Sequence, residues 1–305
     1  MVLDVNIPGN AAAYRESRWT SADGLELYSR IYGSPAPEAP TVLCLPGLTR
    51  NSRDFEALAP HLAARYQVVC PDVRGRGFSA RDPDWRNYQP STYLADLRQL
   101  MAALGLERVA IVGTSLGGIL GMMLGAVEPE RVAGIVLNDI GPGIESAGLE
   151  RIRGYTGLLA PVGNWNDAIA QLRSVYGKAW PALSDDEWAI LARRSYRADS
   201  SGVPVLDYDP RIGDAMRAAP AAPDGLWPTF YRLDSVPMLV IHGALSDILG
   251  ADTVERMRRW KPDLECVTVS DRGHVPLLDE PPVLSAIDRF LARLQPQKEP
   301  CVNYL

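Results

Sequence analysis

Residues 108–118 read RVAIVGTSLGG, an apolar run that leads through Ser115 into the glycine-rich segment LGGILGMMLGAV at 116–127. The run before Ser115 has the length and the β-branched content of a buried strand, and the segment after it is long enough for a helix. Gly113 and Gly117 each lie two residues from Ser115, one on either side. Small residues there let a strand and a helix meet at a sharp turn that exposes the serine hydroxyl. The stretch therefore predicts a strand–serine–helix turn of the kind that carries a nucleophile.

Short apolar runs and helical patterns alternate on both sides of this turn. A hairpin is predicted at 18–33 around the turn dipeptide Asp23-Gly24. Further strands are predicted from the apolar runs TVLCLPG, YQVVCPD, RVAGIVLND, PMLVIHG and LECVTVS, and helices from 51–65, 88–104, 251–260 and 281–295. This alternation predicts an α/β protein with a mostly parallel central sheet and helices on both faces.

The alternation stops between residues 141 and 234. This segment has helical pieces interrupted by Gly and Pro, and it is rich in Trp and Tyr. We therefore expect one core, formed by 1–140 and 235–305, with a mainly helical cap, or lid, at 141–234. The aromatic side chains of this segment are compatible with two roles, lining an apolar pocket and packing the cap.

Composition excludes several classes of function. The chain has 305 residues, 47% hydrophobic and 22% charged, with a formal net charge of −6 and no run of Lys or Arg. Such a charge disfavours nucleic acid as a partner. No stretch is apolar for long enough to span a bilayer, and the first residues lack the pattern of a secretory signal. A small-molecule substrate is the expected partner; the oligomeric state is left open.

The cysteines and histidines favour neither a disulfide framework nor a metal site. The four cysteines are far apart, and three of them, Cys44, Cys70 and Cys266, fall within apolar runs typical of strands. We interpret them as buried thiols in a reducing cytoplasm. A metal site would need ligands at short spacings, whereas the three histidines, His61, His242 and His274, are widely separated. We expect no metal.

Five motifs occur in an order that resembles the α/β-hydrolase fold family. They are LPGL at 45–48, DVRGRGFS at 72–79, GTSLG at 113–117, HGALSD at 242–247 and GHVP at 273–276. The third matches the Gly-x-Ser-x-Gly nucleophile elbow in the strand-to-helix context that it requires. The motif DVRGRGFS at 72–79 is interpreted as structural. The resemblance covers nearly the whole chain outside the cap.

The resemblance implies a catalytic triad in the chain order Ser, Asp, His. Ser115 would be the nucleophile, His274 its base and Asp247 the acid that orients the imidazole. Asp139 is the alternative acid, because it also follows an apolar strand and some members of the family place the acid there. We favour Asp247. His61 is interpreted as a surface or packing residue, and His242 as one that satisfies local hydrogen bonds.

The resemblance also implies an oxyanion hole made of backbone groups. The expected donors are the N–H groups of Leu48 and Leu116, the second at the start of a helix. Pro46 stands where the family usually has a His. Because both donors belong to the backbone, this replacement need not remove either one.

We therefore predict a serine hydrolase that acts on a small or medium carboxylic ester or lactone through an acyl-enzyme and needs no cofactor. Ser115 argues against the family's haloalkane dehalogenases and epoxide hydrolases, which have Asp at the elbow. Carbon–carbon hydrolysis of the meta-cleavage type is the alternative, but those enzymes usually resemble Gly-Asn-Ser at the elbow, where this chain has Thr114. A non-catalytic ligand-binding member of the fold is a further alternative. Arg193, Arg194 and Arg197 could bind a substrate carboxylate, although their spacing favours a solvated helix face.

Overall fold

The computed structural model describes residues 4–5, 14–36, 39–219 and 225–295. Within these ranges, nine strands form one sheet in the spatial order β1-β2-β3-β5-β4-β6-β7-β10-β11. The strands are β1 (Asp4–Val5), β2 (Tyr14–Thr20), β3 (Glu26–Tyr32), β4 (Thr41–Leu45), β5 (Val68–Asp72), β6 (Val109–Thr114), β7 (Val132–Asn138), β10 (Met238–Gly243) and β11 (Glu265–Val269).

The sheet is parallel from β5 to β11 and antiparallel at its other edge. β4, β5, β6, β7, β10 and β11 pair in parallel, whereas β1, β2 and β3 run antiparallel to their neighbours. The predicted hairpin around Asp23-Gly24 is the β2–β3 pair. The prediction of a mostly parallel sheet is therefore confirmed. The tail at 296–305, with Cys301, lies outside the described residues.

Helices cover both faces of the sheet, as predicted. The core helices are α1 (Leu58–Ala63), α2 (Pro90–Ala103), α3 (Leu116–Val127), α9 (Ala251–Trp260) and α10 (Pro281–Arg293). Alternate side chains of each central strand point to opposite faces. Leu43 and Ile111 thus join a cluster with α2 and α3, and Val42 and Val112 join a cluster with α1 and α10. Burial on both faces explains why these strands are continuous apolar runs.

The segment between β7 and β10 has its own small apolar core. It contains α4 (Ser146–Tyr155), α5 (Trp165–Tyr176), α6 (Asp185–Ser195), α7 (Ile212–Ala218), α8 (Trp227–Phe230) and the antiparallel pair β8 (Tyr196–Ala198) and β9 (Pro204–Leu206). Trp180, Trp188 and Leu191 are among the buried residues that form this core. α6 begins with a reciprocal capping box between Ser184 and Glu187. We call residues 141–234 the inserted segment.

The loop at 72–79 ties the antiparallel edge to the helices. Arg74 is almost fully buried and donates hydrogen bonds to the carboxylates of Asp23, Asp82 and Asp96. Replacing Arg74 would remove the cation that these carboxylates share and would leave the buried Asp96 carboxylate without its hydrogen-bond donor, which costs several kcal/mol. The pKa of Asp23 is lowered to about 2, chiefly by its hydrogen bond from Arg74. The structural interpretation of this loop agrees with these contacts.

The meeting of β6 and α3 leaves no room for a side chain at Gly117. A Cβ atom at this position would lie 2.0 Å from the Leu45 carbonyl oxygen and 2.6 Å from the Leu45 carbonyl carbon. Both atoms belong to the backbone of β4, so the contact cannot be relieved by a change of rotamer.

We expect Gly117→Ala to destabilise the protein by roughly 3 kcal/mol or more, because the added methyl group would force α3 away from the sheet. Gly154→Ala is the matched control, since a Cβ atom at Gly154 in α4 would meet no atom within 4 Å. It should instead stabilise the protein by up to about 1 kcal/mol, since Gly is a poor helix former. Urea unfolding of both variants provides the measurement. Equal stabilities would contradict the close approach of α3 to β4.

Candidate active site

Ser115 lies at the turn between β6 and α3 with a backbone conformation that non-glycine residues rarely adopt. Its φ is 51° and its ψ is −112°. Gly113 makes the turn possible, because a Cβ atom there would lie 2.5 Å from the backbone of Gly117. The strained turn holds the hydroxyl above the carboxyl ends of the strands. The predicted strand–serine–helix turn is therefore present, with the two glycines in the roles expected of them.

A chain of hydrogen bonds connects Ser115, His274 and Asp139. The distance from His274 Nε2 to Ser115 Oγ is 3.0 Å, and that from His274 Nδ1 to Asp139 Oδ2 is 2.9 Å. The Asp139 carboxylate can only accept a hydrogen bond, so the neutral His274 imidazole carries its proton on Nδ1. Its Nε2 atom is then free to accept a hydrogen bond from the serine hydroxyl. His274 is 9% exposed and Asp139 is fully buried. This is the arrangement needed to deprotonate a serine.

The expectation that Asp247 orients His274 is wrong. The Asp247 carboxylate instead accepts hydrogen bonds from Arg151 Nε at 2.5 Å and Nη2 at 2.7 Å. Asp139, the alternative that the sequence left open, contacts the imidazole because its backbone turns at the end of β7 with a φ of 53°. The hydrogen bond from Arg151 is the main cause that lowers the pKa of Asp247. Asp247 thus ties α4 of the inserted segment to the core.

The loop after β10 nevertheless supports the Asp139 carboxylate. Gly243 donates its N–H to Asp139 Oδ1 at 2.8 Å, and the Ser246 hydroxyl donates to Asp139 Oδ2 at 2.5 Å. With His274, the carboxylate accepts three hydrogen bonds, which compensate for its burial. Sequence reasoning missed Ser246. The only available signal was its place beside Asp247 at the carboxyl edge of the sheet.

The other two histidines lie outside this chain of hydrogen bonds, as interpreted from the sequence. His61 Nε2 lies 2.9 Å from Asp288 at the surface. His242 Nε2 lies 3.1 Å from the carbonyl oxygen of Leu249, so its hydrogen bond is local. Within the described ranges, no group of three or more His, Cys, Asp or Glu side chains is placed to hold a metal ion.

Leu48 and Leu116 line the same cavity as Ser115. Leu116 is the first residue of α3, so its N–H belongs to the positive end of the helix. The loop that carries Leu48 is held in place by a hydrogen bond of 2.8 Å that Arg76 Nε donates to the Leu48 carbonyl oxygen. Among the described residues, neither Leu48 N–H nor Leu116 N–H has a hydrogen-bond acceptor. Two unpartnered backbone donors therefore belong to residues that line the same cavity as Ser115.

Two cavities meet at Ser115. The first, which we call the arginine chamber, has a volume of about 80 Å³ and is lined by Arg50, Arg194, Tyr155, Tyr176, Trp180 and His274, among others. The second, the apolar chamber, has a volume of about 670 Å³ and is lined mainly by apolar side chains such as Leu116, Ile119, Ile140, Leu149, Ile212 and Met216. Ser115, Leu48 and Ile152 border both.

Some aromatic residues of the inserted segment line a cavity and others pack the segment, but the cavity that they line is the arginine chamber. Tyr155, Tyr176 and Trp180 border the arginine chamber, while Trp188 packs beneath them against Trp180. Trp180 Nε1 also donates to the Val275 carbonyl oxygen at 2.7 Å, directly after His274. Burial raises the pKa of Tyr155 well above its ordinary value, so this hydroxyl stays protonated and can donate a hydrogen bond.

The guanidinium of Arg50, in the wall of the arginine chamber, has hydrogen-bond acceptors. Arg50 Nε donates to Asp54 Oδ2 at 2.8 Å, and Arg50 also bonds to Ser195. Burial opposes the charge of Arg50, but the neighbouring Asp54 carboxylate outweighs burial and raises the pKa of Arg50. Arg50 is therefore a permanently charged and well-anchored part of the wall.

The helices in the described part of the chain include none that is both long and apolar enough to cross a membrane.

Comparison with known proteins agrees with this architecture. Residues 40–154 match the family profile described as the alpha/beta hydrolase fold. The chain is 34% identical over 271 residues to a 3-hydroxybutyrate-oligomer hydrolase of Cupriavidus necator, covering 85% of this chain and 90% of that protein. It is 26% identical to a 2-(acetamidomethylene)succinate hydrolase of Mesorhizobium japonicum over 83% of this chain and 88% of that protein.

A solved structure is also similar. The crystal structure of an alpha/beta hydrolase from Novosphingobium aromaticivorans superimposes with a TM-score of 0.88 and 45% sequence identity. The match covers 93% of this chain and 100% of the other. The sheet order, the elbow at Ser115 and these relatives lead to one conclusion: the chain is a hydrolase that belongs to the α/β-hydrolase fold family.

Proposed function

We propose that this protein is a serine hydrolase that cleaves small or medium carboxylic esters, with Ser115 as nucleophile, His274 as base and Asp139 as acid. The observation that carries the proposal is the continuous hydrogen-bonded chain from Ser115 through His274 to Asp139. The similarity to a 3-hydroxybutyrate-oligomer hydrolase supports an ester as the bond that is cleaved.

The first half of the reaction forms an acyl-enzyme. His274 Nε2 takes the proton from Ser115 Oγ as the oxygen attacks the ester carbonyl carbon. The negative charge on the carbonyl oxygen is stabilised by the N–H groups of Leu48 and Leu116, which are our proposed oxyanion donors. Asp139 stabilises the imidazolium, which then gives its proton to the leaving alcohol oxygen as the C–O bond breaks.

The second half of the reaction releases the acid. A water molecule gives a proton to His274 Nε2 and attacks the acyl carbon, and the imidazolium returns the proton to Ser115 Oγ as the acyl–serine bond breaks. The products are a carboxylic acid and an alcohol. The enzyme returns to its starting state without a cofactor.

We further propose that the inserted segment, residues 141–234, acts as a cap over the site. Tyr155, Tyr176 and Trp180 from this segment border the arginine chamber, and Ile212 and Met216 border the apolar chamber. Walls of this kind favour a substrate that fits beneath them over one that extends far beyond.

Ser115 should be the site of covalent modification by a fluorophosphonate probe. The probe should label the wild-type protein at Ser115, and Ser115→Ala should abolish both the labelling and the hydrolysis of 4-nitrophenyl butyrate. Peptide mapping by mass spectrometry identifies the labelled residue. Labelling of another serine, or undiminished turnover by the variant, would reject this nucleophile.

Asp139→Asn should lower kcat by about 10³ to 10⁴, because a neutral amide favours the wrong imidazole tautomer and does not stabilise the imidazolium. Asp247→Asn is the matched control, since Asp247 is partly exposed and paired with Arg151. Its kcat should fall by no more than about tenfold, as expected for an ion pair of that exposure. Steady-state kinetics with 4-nitrophenyl butyrate measures both effects, and circular dichroism checks the fold. A larger loss in Asp247→Asn would overturn the assignment of Asp139.

The cap should limit the length of the substrate. We expect kcat/KM to be highest for 4-nitrophenyl esters of short and medium acyl chains, and to fall by about tenfold or more for the palmitate ester, because the cavities are bounded by the cap helices. Initial rates across an acetate-to-palmitate series test this. Comparable rates on short esters and on triglyceride emulsions would instead indicate an open site.

A further inference from the structure

Arg194 is a buried cation with no hydrogen-bonded carboxylate among the described residues. The residue is 9% exposed, and it lines the arginine chamber together with Ser115 and His274. Its Nε atom is buried without a hydrogen-bond partner among the described residues. A buried guanidinium normally donates to carboxylates or carbonyl groups, because an unsatisfied charged donor costs free energy. A buried guanidinium beside Ser115 that lacks such hydrogen bonds is therefore suited to bind an anionic ligand.

The carboxylates near Arg194 are engaged elsewhere. Glu56 Oε2 is 3.7 Å from Arg194 Nε, too far for a hydrogen bond, while Glu56 Oε1 accepts from Arg30 at 2.8 Å. Asp54 accepts from Arg50. Asp279 is also near enough for the Arg194 charge to act on it, yet within the described ranges the two form no ion pair. Arg194 is thus the cation of this wall that has only a long ion pair and no hydrogen-bonded carboxylate among the described residues.

The neighbouring arginines do not share this environment. Arg193 lies with its guanidinium carbon 3.8 Å from the centre of the Trp165 ring. Arg197 Nε is 3.4 Å from Asp207, and its side chain is 43% exposed. Of the three arginines that the sequence placed together, only Arg194 borders the cavity at Ser115.

The position of His274 indicates which part of an ester occupies each chamber. His274 borders the arginine chamber and is absent from the walls of the apolar chamber. The imidazolium must protonate the leaving oxygen, so the alcohol part of the ester has to lie on the His274 side. The acyl part then extends into the apolar chamber, whose walls match its chemistry.

On the basis of the ester hydrolysis proposed above, we propose that Arg194 binds a carboxylate on the alcohol part of the substrate. The preferred substrates are therefore esters of hydroxy acids whose own carboxyl group is free. The carboxylate accepts charge-assisted hydrogen bonds from the guanidinium, which holds the ester carbonyl over Ser115. Hydrolysis releases the hydroxy acid from the arginine chamber and leaves the acyl group on the enzyme. Arg194 is in this scheme a specificity-determining residue that takes no part in bond breaking.

Two substrates with one skeleton test the proposal: 3-(butanoyloxy)butanoate, which has a free carboxylate, and 3-(butanoyloxy)butanamide, which is neutral. Release of butyrate is measured by chromatography. The wild-type protein should hydrolyse the carboxylate with a kcat/KM at least about tenfold higher than the amide, because only the carboxylate satisfies the buried guanidinium. In Arg194→Gln this ratio should fall to about one, chiefly through a higher KM for the carboxylate, while Arg194→Lys should restore part of it.

Arg193→Gln is the matched control, one residue away on α6, and should keep the wild-type ratio. A ratio near one in the wild-type protein, or a ratio unchanged by Arg194→Gln, would overturn the role of Arg194. If 4-nitrophenyl butyrate and both test esters resist hydrolysis, the ester-hydrolase function itself is contradicted, and the proposal falls with it. If the protein hydrolyses 4-nitrophenyl butyrate but does not prefer the carboxylate ester over the amide, the role of Arg194 is rejected and the ester-hydrolase function stands.

A measurement on the wild-type protein does not depend on the folding of any variant. 3-Hydroxybutanoate should inhibit the hydrolysis of 4-nitrophenyl butyrate competitively, because it occupies the arginine chamber as the leaving alcohol would. 3-Hydroxybutanamide should inhibit at least about tenfold more weakly, since it lacks the charge. Equal inhibition by the two compounds would contradict the proposal.

Discussion

The backbone contact between Gly117 and the Leu45 carbonyl determines where Ser115 can lie. It brings α3 so close to β4 that a Cβ atom at Gly117 would be 2.0 Å from the carbonyl oxygen. With the helix at that distance, the chain can pass from β6 into α3 only through the positive φ of Ser115. The hydroxyl is then directed toward His274, and the N–H of Leu116 is available beside it. Ser115 is thus positioned by backbone packing, which is stiffer than side-chain packing.

The remaining parts of the site are held by the carboxyl ends of neighbouring strands. Asp139 follows β7, and two groups of the loop after β10, Gly243 N–H and Ser246 Oγ, bind its carboxylate. The same loop carries Asp247, whose ion pair with Arg151 attaches the inserted segment to the core. One short loop therefore supports both the buried acid and the wall of the cavities. A disturbance of this loop would affect the orientation of His274 and the position of α4 together.

The sequence was sufficient for the fold and for the pairing of Ser115 with His274, because apolar periodicity and the glycines around the serine reflect local constraints. It was not sufficient to distinguish Asp139 from Asp247. Both follow apolar parallel strands, and the difference arises from the φ of 53° at Asp139 and from Arg151, which a distant helix supplies. The burial of Arg194 beside Ser115 was equally impossible to predict from the sequence. Its spacing from Arg193 and Arg197 is that of a solvated helix face, and only the packing of the inserted segment buries it.

The glycine-rich face of α3 has a consequence for how such a protein can diverge. Cβ atoms at Gly117, Gly118 and Gly125 would all come within 3.0 Å of neighbouring atoms, so this helix tolerates almost no mutational drift. The inserted segment instead contributes residues such as Tyr176 to the arginine chamber and Met216 to the apolar chamber, and it has a small apolar core of its own beside the two cores of the sheet. Substitutions there can accumulate without moving the elbow. The shape of the two chambers can therefore change in descendants of this fold while the turn at Ser115 stays constant.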